Sequence, residues 1–279
     1  MNHQVILAFL LTTLAGLSTG IGSALSLLWK KTNKAFLSAS LGLSAGVMIY
    51  VSFVELFADA VRILGEQQGS KTGEWVATAW FFAGILTIAL IDRLVPEVEN
   101  PHEARTAEDM DHTDCGEPVS EGAPASADHE RHLMRLGLIT ALAIGIHNFP
   151  EGMATFVSAM ASPSLGLSIA VAIAIHNIPE GISVAVPIFH ATGSRKKAFW
   201  LSFLSGISEP VGALVGYLIL RPFMSESLLA GVFAWIAGVM VFISLDELLP
   251  AARRYGYGHL AIYGLVAGMA VMAFSLLIM

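Results

Sequence analysis

Two six-residue stretches carry the residue types best able to do chemistry. They are His147-Asn148-Phe149-Pro150-Glu151-Gly152 and, 29 residues later, His176-Asn177-Ile178-Pro179-Glu180-Gly181. On a helix, the His and Glu of each copy are i and i+4, and the Asn and Glu are i and i+3. All three polar groups therefore share one face. Each copy sits in an apolar run of membrane-spanning length, where an uncompensated carboxylate costs roughly 3 kcal/mol or more. Pro150 and Pro179 lack an amide hydrogen, which strips the Ile146 and Ile175 carbonyls of their helical partners and predicts a kink at each copy. Gly145 and Gly152 predict close approach of a neighbouring helix.

Only a short turn around Ser162-Pro163-Ser164 separates the two runs, and each copy begins about 12 residues from it. The runs are thus expected to be antiparallel neighbours with Glu151 and Glu180 at similar depth. Two carboxylates facing each other in a low dielectric repel, and one would take up a proton. A divalent cation between them removes the conflict. Glu209, followed by Pro210 in an otherwise apolar run, is the expected third carboxylate.

The resulting donors are imidazoles (His147, His176), amides (Asn148, Asn177) and carboxylates (Glu151, Glu180, Glu209), with no thiolate. Such a mixed nitrogen and oxygen set suits Zn²⁺, Fe²⁺ or Mn²⁺ and lacks the soft sulfur favoured by Cu(I). It also permits release, as passage through a membrane requires. A lone intramembrane His or Asn more often only bonds a neighbouring helix. Two copies with identical polar positions and a third Glu are poorly explained that way. Glu55 and Glu247, with Asp59 and Asp246 nearby, are expected either to line the path or relay protons, or to be structural.

The elements that must position these groups follow from composition. Of 279 residues, 55% are hydrophobic and 13% charged, and mean hydropathy is +0.68. Soluble domains carry about 25% charged residues, so the chain reads as an all-α, polytopic membrane protein in a single transmembrane domain, 1–279. Apolar runs fall at roughly 4–29, 36–64, 75–95, 135–160, 164–191, 197–220, 226–250 and 258–278. Each is long enough to cross about 30 Å of hydrocarbon as a helix. Eight transmembrane helices are expected, the first retained rather than cleaved.

Segment 96–133 is the exception. Eleven of the 22 acidic residues lie between Glu97 and Glu130, so the formal net charge of −7 is local and implies no nucleic-acid surface. The segment also holds Cys115 and His102, His112, His129 and His132. It is expected to be a disordered cytoplasmic linker, its histidines either incidental or weak metal binders. If the N-terminus faces outward, twelve Lys and Arg fall on the cytoplasmic side against Arg62, Lys71 and Arg221 on the other. That asymmetry places both termini outside the cytoplasm.

Spans two and seven share a pattern: Gly46-Val47-Met48 with Ser52 and Glu55, and Gly238-Val239-Met240 with Ser244 and Glu247 at the same offsets. Spans five apart run in opposite directions, so the pattern predicts an inverted repeat. It suggests a 3+2+3 arrangement.

Eight spans, the His-bearing loop and the doubled HNxPEG motif together resemble the ZIP (ZRT/IRT-like) metal transporters over essentially the whole chain. The resemblance implies uptake of zinc and related divalent cations into the cytoplasm across the cell inner membrane, with no catalytic cofactor. It implies a two-metal site bridged by carboxylates of spans four and five. His147, Glu151, His176 and Glu180 would hold zinc. Asn148, Glu151, Asn177, Glu180 and Glu209 would form a second site, associated with iron. A homodimer is also implied. The main rival is an intramembrane zinc-dependent hydrolase, whose expected HExxH is absent from the sequence.

Overall fold

The computed structural model describes residues 3–28, 34–94, 127–223, 225–254 and 256–278. Within these, the side chains of 127–140, 142, 143 and 147 and of a few positions near helix ends are not described. Every described element is helical. Hydrocarbon demands this, because backbone polar groups must be satisfied inside the segment.

Eight helices result. α1 is His3–Leu28; α2 runs as Lys34–Val51, a π-helical turn Ser52–Phe57, then Ala58–Gln68. α3 is Ser70–Leu94, α4 Ala127–Ala161 and α5 Pro163–Thr192. α6 comes in two pieces, Arg195–Gly206 and Ser208–Leu220. α7 is Glu226–Ile243, a π-helical turn Ser244–Leu248, then Leu249–Arg254; α8 is Gly258–Ile278. Seven of them are long and apolar enough to cross a membrane, and α4 is 35 residues long. The chain is therefore a multi-pass, all-helical membrane protein.

Local chemistry sets the ends. Gly69 at φ 88° stops α2, and Gly193 at φ 61° stops α5, its amide donating to the Phe189 carbonyl. Left-handed positions of this kind suit glycine at a helix C-terminus. Pro163 opens α5 where no amide hydrogen is required. The Ser194 and Ser225 side chains cap α6 and α7 by accepting from Lys197 N and Leu228 N.

The structure departs from sequence expectation at α4. That helix begins at Ala127, inside the segment read as a linker. Ala127, Glu130, Arg131 and Leu133 are good helix formers, and acids at Asp128 and Glu130 complement the positive helix start. Residues 95–126, with His102, His112 and Cys115, lie outside the described residues, as do the side chains of His129 and His132. Both motif prolines sit inside helices that run on without a break. α6 is interrupted at Ile207, where Pro210 denies the Gly206 carbonyl its usual donor.

Of the seven spans, α5 and α7 are the most buried, at 67% and 72% of their apolar stretches, against 22% for α3 and α8. Leu86, Leu90, Leu218, Phe274 and Leu277 are exposed on the outer helices, as a lipid-facing surface requires.

The helix contacts come in matched pairs. α2 packs on α8 and α7 on α3; α1 packs on α5 and α6 on α4; α4 and α5 pack on each other. In the first pair Gly46 lies against the Leu265 carbonyl, and in the second Gly238 lies against that of Phe81, with no room for a Cβ at either. Both π-helical turns also occupy matching places, and they contain Glu55 and Glu247.

Candidate metal centre

The antiparallel packing of α4 on α5 brings the two motif copies together. His176 Nε2 lies 3.0 Å from Glu151 Oε1, and both side chains are buried. Glu180 joins them: one ligand atom from each of Glu151, His176 and Glu180 lies within 4.8 Å of the others. Glu151 comes from α4, and His176 and Glu180 come from α5, a helix apolar enough to cross a membrane. Water is thus replaced by two carboxylates and an imidazole gathered around one point. Such a cluster is an electrostatic liability alone and a ready cradle for a divalent cation.

The two asparagines flank this cluster, each tethered through its amide nitrogen. Asn177 Nδ2 donates to the Ala15 carbonyl of α1 at 3.0 Å and to a Glu209 carboxylate oxygen. Asn148 Nδ2 donates to the Ser205 carbonyl of α6 at 3.3 Å. With the nitrogens so occupied, the Asn148 and Asn177 Oδ1 atoms are buried with no hydrogen-bond partner among the described residues. A buried amide oxygen without a donor is rare and unfavourable. A hard cation would supply what it lacks.

Glu209 enters through the broken helix. It lies in the first turn of the second piece of α6, the end of a helix dipole that favours a negative charge. It is completely buried and accepts a hydrogen bond from Asn177. Six of the seven residues expected from the sequence are thus buried together around the α4–α5 contact. The side chain of the seventh, His147, lies outside the described residues. Glu55 and Glu247 are half-buried in their π-helical turns and do not belong to this cluster.

Two glycines behave differently from one another. Gly152 presses on the Glu209 carbonyl so closely that a Cβ would collide, whereas Gly145 has nothing among the described residues within 4 Å of where its Cβ would be. The close approach expected at both exists only at Gly152. Gly145 instead lines an apolar cavity of about 630 Å³ with Phe149, Leu204 and Trp235.

Several contributors have no mark in the doubled motif. The Ser44 hydroxyl of α2 donates to the His176 carbonyl at 3.0 Å, and Thr155 Oγ1 donates to that of Glu151 at 3.2 Å. Thr19 of α1 is buried beside the Gly181 turn of α5. A signal for Thr19 does exist: Gly16-Leu17-Ser18-Thr19 and Gly206-Ile207-Ser208-Glu209 share their pattern of glycine and serine.

Comparison with known proteins gives one consistent answer. The profile of the family described as ZIP Zinc transporter matches residues 3–276. A zinc transporter ZupT from Clostridium perfringens (strain 13 / Type A) is 59% identical over 277 residues, spanning 99% of this chain and 97% of the relative. One from Lysinibacillus sphaericus (strain C3-41) is 57% identical over 279 residues, the full length of both. One from Streptococcus mutans serotype c is 55% identical over 278 residues, 100% of this chain and 99% of the relative.

Proposed function

The chain belongs to the ZIP zinc transporter family, and we propose that it carries Zn²⁺ into the cytoplasm through the centre built by α4, α5 and α6. The observation that carries this reading is the buried cluster of Glu151, His176 and Glu180 inside apolar helices. A structural role for such a cluster would leave two carboxylates close together with the imidazole in a low dielectric. A cation in transit gives them a purpose.

Two metal positions share the centre. Glu151 and Glu180 bridge them, His147 and His176 complete the first, and Asn148, Asn177 and Glu209 complete the second. The donor-poor amide oxygens of Asn148 and Asn177 support the second position. Fe²⁺ and Mn²⁺ take the same path, because the donor set is borderline in character and lacks thiolate. The one domain, 1–279, sits in the cell inner membrane with both termini outside the cytoplasm, on the strength of its Lys and Arg distribution. The matched helix pairs support the 3+2+3 inverted repeat, and a homodimer follows from the family resemblance.

The hydrolase alternative is not supported. No HExxH is present, and the matched family is one of transporters.

The test is reconstitution in liposomes holding a zinc-sensitive dye, with external Zn²⁺ added. Wild type should fill the vesicles and Glu151→Ala should not. Undiminished influx through Glu151→Ala would overturn the reading.

A further inference from the structure

The metal centre is flanked by two helices whose contacts correspond residue for residue, except at one polar position. Gly16-Leu17-Ser18-Thr19-Gly20-Ile21-Gly22 of α1 and Gly206-Ile207-Ser208-Glu209-Pro210-Val211-Gly212 of α6 share Gly, Ser and Gly at equal offsets. A Cβ at Gly16 would strike the Gly206 carbonyl, and one at Gly206 would strike that of Gly16. Gly22 lies on the Ile178 carbonyl as Gly212 lies on the Phe149 carbonyl. Gly181 lies on the Thr19 carbonyl as Gly152 lies on the Glu209 carbonyl. The asparagines obey the same rule. Asn177 donates to Ala15, four residues before Thr19, and Asn148 donates to Ser205, four residues before Glu209. By every one of these contacts, Thr19 stands in α1 where Glu209 stands in α6.

The Thr19 side chain is also anomalous by itself. It is completely buried, yet its Oγ1 has no hydrogen-bond partner among the described residues. A helical threonine normally donates to the carbonyl four residues back. Thr12, Thr13 and Thr155 all do so here. The carbonyl that Thr19 would use, Ala15, is taken by Asn177. Valine has the same shape without the penalty of an unsatisfied hydroxyl.

We propose that Thr19 is a specificity-determining residue of the metal path. Its hydroxyl supplies a neutral oxygen on the α1 side of the centre, beside Gly206, at the place where Glu209 supplies a carboxylate on the α6 side. The centre is thereby one-sided. A divalent cation is held by charge toward α6 and by neutral oxygens toward α1, so it can leave that side. A second carboxylate there would bind more tightly and release more slowly. This inference rests on the transport reading of the centre.

The experiment measures initial zinc influx against external Zn²⁺ in liposomes for wild type, Thr19→Val, Thr19→Ser and Thr19→Asp, with Glu151→Ala alongside. Thr19→Val should raise KM about threefold or more at an unchanged melting temperature, and Thr19→Ser should stay within about twofold of wild type. Thr19→Asp should shift the other way, with lower KM and lower kcat. A wild-type KM in Thr19→Val, or an unchanged KM and kcat in Thr19→Asp, would mean that Thr19 only fills space against Gly206 and would overturn the inference. Should Glu151→Ala abolish influx in that case, the transport reading survives. Should Glu151→Ala transport normally, the reading itself falls.

Discussion

Glu151 and His176 meet at 3.0 Å across the α4–α5 contact, and neither is accessible to solvent. The acid belongs to the first motif copy and the base to the second. The two copies are therefore in direct side-chain contact.

Groups that act as a unit lose function non-additively. Glu151→Gln and His176→Gln should each lower zinc influx beyond the roughly 10- to 100-fold penalty of removing a mere outer partner of a metal ligand. The double variant should be little worse than the poorer single one. Influx in the three variants checks this, and strictly multiplicative losses would show that the two residues act separately.

Metal removal gives a second check that needs no transport. A ligand that binds only the folded protein stabilises it by about 2.7 kcal/mol at 100 times its Kd. Detergent-solubilised wild type stripped with a chelator should melt at a lower temperature than with Zn²⁺ restored. Glu180→Gln should lose most of that shift, since Glu180 is one of the three clustered ligands. An equal shift in both proteins would place the bound zinc elsewhere.

Glu209 accepts a hydrogen bond from Asn177 and is not one of the three clustered ligands. Its loss should therefore fall mainly on the second metal position. Glu209→Ala is expected to reduce iron influx more than zinc influx, measured with radioactive isotopes in the same vesicles. Equal losses for both metals would argue for a single shared position.

The two motif-flanking glycines should separate cleanly. Gly152→Ala and Gly181→Ala each force a Cβ into a backbone carbonyl, of Glu209 and Thr19 respectively. Overpacking of this kind costs about 1–3 kcal/mol. Gly145→Ala meets nothing among the described residues within 4 Å and should be neutral or stabilising by up to about 1 kcal/mol through helix propensity. Melting temperatures in detergent rank the three.

The break in α6 illustrates the limits of local reading. Three prolines lie next to candidate glutamates, and the same argument about a missing amide applies to each. Pro150 and Pro179 are carried within unbroken helices, while the chain at Pro210 divides at Ile207. Close backbone packing does not separate them, since Gly152, Gly181 and Gly206 each lie against a carbonyl of another helix.

The apolar runs and the doubled motif were legible in the sequence, and so were Glu151, His176 and Glu180, which the fold brings together. Those signals are local or energetic: apolar runs must be helical in lipid, and costly polar groups in them must have a reason. Tertiary structure alone decided which carbonyls hold the asparagines and which backbones meet at the glycines. Asn177 and Ala15 are 162 residues apart. They meet because glycines let parallel helices approach to backbone contact, and that approach depends on the whole packed bundle.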